Sequence, residues 1–120
     1  MIIRRLKECE EFLAGDQTHL RELLHPGRAS VKVGYSLAHG TLAPGARSKR
    51  HRLSSSEVYY FLTSQGMFHT DGQASSIEPG MIVYVPPEAE QWVENLGDSA
   101  MEFLCLVDPA WTPEDERVLE

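Results

Sequence analysis

Two side chains near the middle of this 120-residue chain carry its first sign of chemistry. His51 and Glu57 stand six positions apart across a serine-rich turn, Ser54-Ser55-Ser56. In extended chain, residues two apart share a face. Lys49, His51 and Leu53 therefore share one face, and Glu57, Tyr59 and Phe61 share a face of the next segment. If those two segments pair, His51 and Glu57 converge. An imidazole nitrogen and a carboxylate oxygen are ordinary ligands of a divalent metal. Without a metal the same pair can exchange a proton with a bound molecule. A plain hydrogen bond between the two is the bland alternative.

The elements that must position this pair read as strands. Segments rich in β-branched and aromatic residues alternate with Gly, Pro, Asn and Asp, the pattern of an all-β sandwich or barrel. Expected strands are Leu20 to Leu24, Val31 to Leu42, Arg47 to Leu53, Glu57 to Thr63, Gly66 to Thr70, Ser75 to Ile77, Met81 to Val85, Gln91 to Asn95 and Ala100 to Val107. Asp71-Gly72 is a hairpin turn signal. One domain over 1–120 is expected, with the barrel core at about 30–108, an N-terminal strand or helix extension, and a short C-terminal helix at 113–119. Leu6 to Leu13 is weakly helical. Thr112 and Pro113, followed by Glu114 and Asp115, form a helix start.

The segment from Gly45 to Glu57 resembles the first motif of the cupin family: a Gly, five residues, His-x-His, three residues and Glu. Gly45, His51 and Glu57 match it. Leu53 replaces the second His, and Ser64 stands where a further Gly is expected. The stretch from Gly80 to Asn95 resembles the second motif. Gly80, Pro86 and Asn95 match, while Glu88 replaces its Gly and Gln91 its His. The resemblance implies an all-β jelly-roll, a double-stranded β-helix barrel with short flanking helices. In that family two His and one Glu of the first motif and one His of the second hold a metal inside the barrel. Carried over by position, the set here is His51, Glu57 and Gln91, with nothing from Leu53. A Gln carbonyl is a poorer ligand than imidazole for Zn, Fe or Ni. The resemblance thus implies either a weakly held divalent metal (Mn, Fe, Ni or Zn) or a metal-free pocket with His51, Glu57 and Gln91 joined by hydrogen bonds.

His39, on the strand before Pro44-Gly45, is the first candidate to complete the ligand set. His69 is expected outside, because Phe68 and Thr70 read as the inward pair. His19 and His25 read as structural or interface residues. Tyr59 and Phe61 would form an aromatic wall. Lys49 and Arg47, on the face of His51 nearer the barrel mouth, would favour a carboxylate or phosphate on the ligand.

The net charge of −7 argues against a nucleic-acid binder and against attraction to anionic lipid. No stretch approaches the roughly 20 apolar residues of a membrane span. No apolar run follows the basic N-terminus, so no signal peptide is expected. Cys9 and Cys105 are too few and too far apart for a disulfide framework, which suits a cytoplasmic setting. Three function classes fit these residues. The first is a cupin binding a small anionic or sugar-like molecule, resembling the sugar-phosphate-isomerase-like members. The second is a metal-dependent isomerase or oxygenase using His51, Glu57 and Gln91. The third is a non-enzymatic, ligand-sensing homodimer with contacts at the N-terminal segment and Phe103 to Val107. In the first two, Glu57 and His51 are the catalytic candidates.

Overall fold

The computed structural model describes residues 1–120. Eleven strands form two antiparallel sheets. The six-stranded sheet runs β1 (Glu11–Leu13), β2 (His19–Leu24), β3 (Ser36–Leu42), β10 (Met101–Asp108), β5 (Ser56–Phe61), β8 (Ile82–Val85). The five-stranded sheet runs β11 (Glu116–Val118), β4 (His51–Leu53), β9 (Gln91–Asn95), β6 (Gly66–Thr70), β7 (Gln73–Ile77). This is the all-β jelly-roll expected, and its alternation decides what lies between the sheets.

In β10, Met101, Phe103, Cys105 and Val107 are buried while Glu102, Leu104 and Leu106 turn the other way. In β5, Glu57, Tyr59 and Phe61 face inward. The apolar core includes Leu42, Phe61, Phe68, Val85, Val93, Met101 and Phe103. Burying each of the larger of these side chains contributes roughly 1.5–3 kcal/mol. Tyr59, Phe103 and Cys105 belong both to this core and to the wall of a cavity in the rest of the barrel.

Two close approaches need glycine. A Cβ on Gly66 would lie 1.8 Å from the Glu94 carbonyl oxygen, and one on Gly40 would lie 2.4 Å from the Phe103 ring. Both motif glycines, Gly45 and Gly80, have positive φ (80° and 91°). The two motif positions that lost glycine keep that backbone shape: Ser64 has φ 67° and Glu88 has φ 68°. The turn geometry persists although its preferred residue is gone. At Ser64 the fully buried Asn95 shows why. Its Nδ2 donates to the carbonyls of Leu42 (3.0 Å) and Ser99 (2.8 Å), and its Oδ1 accepts from the Ser64 hydroxyl (2.7 Å) and the Gly97 amide (3.1 Å).

Three expectations are corrected. The helix at 113–119 is a single 3₁₀ turn at Pro113–Asp115 followed by β11. The Thr112 hydroxyl bonds the Asp115 side chain (2.7 Å) instead of capping the backbone. The exposed edge of β4 then captures the chain, pairing Glu116 with Leu53 and Val118 with His51, since strand edges leave backbone groups unpaired. The N-terminal helical segment is likewise one 3₁₀ turn, Leu6–Glu8, and β1 follows it. Finally, β4 and β5 do not pair. They lie in opposite sheets, so His51 and Glu57 face each other across the barrel.

Candidate functional site

The inner cavity is small, about 50 Å³. Its walls carry His51, Leu53, Glu57, Tyr59, Cys105, Asp16, Thr18, Phe12, Trp111 and Glu116, among others. It opens toward a larger groove of about 840 Å³, which shares Phe12, Ala14, Glu22, Trp111 and Glu116 with it.

His51 is held between two neighbours in the five-stranded sheet, opposite Gln91 on one side and Val118 on the other. Its Nδ1 lies 2.7 Å from the Lys49 carbonyl. A carbonyl only accepts, so Nδ1 carries a proton and the ring's other nitrogen faces the cavity. That Nε2 stands 3.5 Å from Asp16 Oδ2. Asp16 comes from the turn between β1 and β2, where its carboxylate accepts from the Thr18 amide (3.0 Å) and hydroxyl (3.1 Å). The Lys49 amide donates to the Asp16 carbonyl (2.7 Å), which ties that turn to the strand carrying His51.

Glu57 lies across the cavity, and its Oε1 is buried without a hydrogen-bond partner. Burial pushes its carboxyl up to about 7; His51 opposes this, the Asp16 charge adds to it, and the neighbouring Tyr59 hydroxyl and Cys105 thiol pull it slightly down. Burial likewise raises Tyr59 and the Cys105 thiol well above their ordinary values, with the Glu57 charge adding to both. Glu116, at the start of β11, is also raised, first by burial and then by Asp16. Its Oε2 accepts from Trp111 Nε1 (3.1 Å), while its Oε1 is buried and unpaired. A carboxyl near neutrality beside a histidine is a suitable proton donor or acceptor.

The expected site residues separate into two groups. His51, Glu57 and Tyr59 line the cavity. Gln91 is buried next to His51, but its Oε1 accepts the Tyr59 hydroxyl at 2.5 Å. Phe61 packs in the apolar core. His39 turns to the opposite face from Ser36 and Ala38, which line the cavity, and its Nε2 meets Glu102 Oε1 at 3.0 Å. Arg47 lies over the Trp92 ring (4.6 Å) and bonds Glu120. Lys49 is half-buried and not among the lining residues, and no Lys or Arg is.

Asp16, Glu116 and Trp111 were not singled out by sequence reading. The only available signal was the density of acidic residues toward both ends of the chain, and nothing local linked them to His51.

The family metal set does not fit these residues. Leu53 offers no donor, Gln91 is engaged by Tyr59, and His39 faces away. No three His, Cys, Asp or Glu side chains converge as metal ligands would.

A family model described as the cupin domain matches residues 38–107. The chain belongs to the cupin family. This cupin is 31% identical over 114 residues to an uncharacterised protein of Methanocaldococcus jannaschii, covering 94% of this chain and 90% of that one. It is 28% identical over 102 residues to the glucose-6-phosphate isomerase of Pyrococcus furiosus, covering 81% of this chain but about half (49%) of that enzyme. Among solved structures, a predicted oxalate decarboxylase of Thermotoga maritima superposes with a TM-score of 0.79 at 22% identity, covering 90% of this chain and 99% of that one. That likeness is one of fold. No helix of this cupin is long and apolar enough to cross a membrane.

Proposed function

We propose that this cupin binds a small polar molecule in its barrel cavity and that Glu57 and His51 act on it as a proton-transfer pair without a metal. The observation that carries this reading is the pair of unpaired carboxyl oxygens, Glu57 Oε1 and Glu116 Oε1, on residues lining one cavity with His51. Buried polar atoms without partners are costly, and a donor in the cavity would offset that cost once either carboxyl turns toward it. The absence of Lys and Arg from the lining favours a hydroxyl- or amine-bearing ligand over an anionic one. The similarity to an isomerase supports proton transfer as the class, since the enediol route of sugar isomerisation moves a proton between carbons. The metal-dependent alternative needs ligands that this barrel has lost.

Protein purified without chelator or affinity-tag metal tests the reading. Less than a tenth of an equivalent of Mn, Fe, Ni or Zn is expected, unchanged in His51→Ala. A stoichiometric metal that leaves with His51 would overturn the metal-free reading. A thermal-shift screen with neutral sugars and small amines then tests binding. A hit is expected to disappear in Glu57→Gln, and no hit in either class would overturn the pocket assignment.

A homodimer remains a proposal, but its contact moves: β10 is paired on both sides, by β3 and β5, and buries Phe103, Cys105 and Val107, so the expected contact at Phe103 to Val107 has no free edge. The outward face of the six-stranded sheet exposes Tyr60, Ile82 and Tyr84 beside Val58, Leu104 and Leu106. Such a contiguous apolar strip suits a second copy. Light scattering should give the mass of two chains, and a monomer at micromolar concentration would sink the proposal.

A further inference from the structure

The charged side chains lining the inner cavity are mostly acidic. Asp16, Glu57 and Glu116 bring three carboxyl groups to it, and Glu22 a fourth at its edge. Glu22 is already paired with Arg28 in the outer groove. Glu57 is only 6% exposed, has an unpaired Oε1, and belongs to the cavity wall. Glu116 also keeps one oxygen unpaired after accepting from Trp111. The remaining walls are apolar, with four rings beside Leu20, Leu53 and Val107. The Tyr59 and Phe103 centroids stand 5.6 Å apart, and those of Phe12 and Trp111 stand 5.9 Å apart. Buried carboxyls combined with ring faces favour an organic cation, because carboxyl oxygens accept its N–H groups and rings attract its charge.

We propose that the cavity takes a ligand carrying a protonated primary amine, whose ammonium group sits among Asp16, Glu57 and Glu116 against the Tyr59 and Trp111 rings. This rests on the polar-ligand reading of the same cavity and names the class of ligand. An ammonium has three donors and no acceptor, which suits three carboxyls of which two keep an unpaired oxygen. It is compact and hydrogen-bonds over a range of directions, whereas a bare metal ion needs close ligands that do not converge here. A guanidinium is broader and planar, which suits a cavity this small less well. The rest of the molecule would lie in the outer groove, along Phe12, Leu13, Trp111 and Val118.

Three probes that share a tail and differ in the head group test this by calorimetry at pH 7.5: n-butylammonium, n-butanol and n-butyrate. Butylammonium is expected to bind at least tenfold more tightly than butanol, with no butyrate binding. Glu57→Gln and, separately, Glu116→Gln are each expected to weaken butylammonium at least fivefold and to weaken any butanol binding by a smaller factor. Thermal melts show that each variant is folded. Butyrate or butanol binding as tightly as butylammonium overturns the amine assignment and leaves the polar-ligand pocket standing. Failure of butylammonium to bind at tens of millimolar also overturns it, whereas the pocket itself stands or falls on the sugar and amine screen.

Discussion

Two histidine–carboxylate pairs in this barrel sit in opposite settings. On the outside of the five-stranded sheet, His69 stacks on Trp92 with ring centroids 3.5 Å apart and meets Glu94 at 2.8 Å. Arg47 lies over the same Trp ring, and Glu120 pairs with both Arg47 and Arg50. His69 and Glu94 are 22% and 32% exposed. Inside the barrel, His51 and Asp16 are 3% and 10% exposed, stand 3.5 Å apart, and share their cavity with two carboxyls that each keep one oxygen unpaired. The outer pair is closer and better satisfied, yet it makes no site, because every group already has its partner and water screens the charges. The inner group is incomplete, and incompleteness in a dry setting is what a ligand can relieve. Residue type alone does not distinguish these two regions. Burial and satisfaction do.

The largest test of this contrast is the pH dependence of stability. Glu57 titrates near 7 in the folded chain and near 4.5 when unfolded, so between those values the folded state holds the extra proton. Its contribution is complete below about pH 4.5 and is lost as pH rises through about 7. The loss is roughly 3 kcal/mol, at about 1.4 kcal/mol for each pH unit. Glu57→Gln should therefore gain about that much on wild type between pH 4.5 and 8 in paired urea titrations. Equal slopes for the two proteins would break the contrast.

A smaller effect is expected at Asp16, whose charge helps raise Glu57. Asp16→Asn should move the Glu57 carboxyl titration, followed by carbon NMR, to lower pH. An unmoved midpoint would show that burial alone sets it.

The smallest effect belongs to the outside. His69→Ala and Arg47→Ala should each cost less than about 1 kcal/mol, and less again in high salt. A loss of several kcal/mol from either would mean that the outer stack, too, is a dry network.

Much of the frame was legible in the residues. The alternation of Glu57, Tyr59 and Phe61, the Asp71-Gly72 hairpin and the positive-φ turns at Gly45 and Gly80 are local features, and local sequence specifies them. Ser64 and Glu88 show where local reading weakens. Both hold a glycine-like backbone angle without being glycine, and at Ser64 a buried Asn95 thirty-one positions away helps to impose it. The expected helix at 113–119 failed for a similar reason. Its start signals were sound, but the unpaired edge of β4 offered the chain a strand partner.

The sequence by itself determined the barrel, the family motifs, the inward facing of His51 and Glu57, and the loss of a ligand at Leu53. Only the tertiary structure decided what surrounds that pair. Asp16 arrives from the first hairpin, and Glu116 arrives with β11 at the other end of the chain. It also turned His39 toward Glu102, gave Gln91 to Tyr59, and placed Arg47 on the far side of the sheet. The physical reason is range. Strand periodicity is set by neighbours two residues apart, whereas the charge and the unpaired atoms of a cavity depend on groups a hundred residues apart being pressed into one dry space.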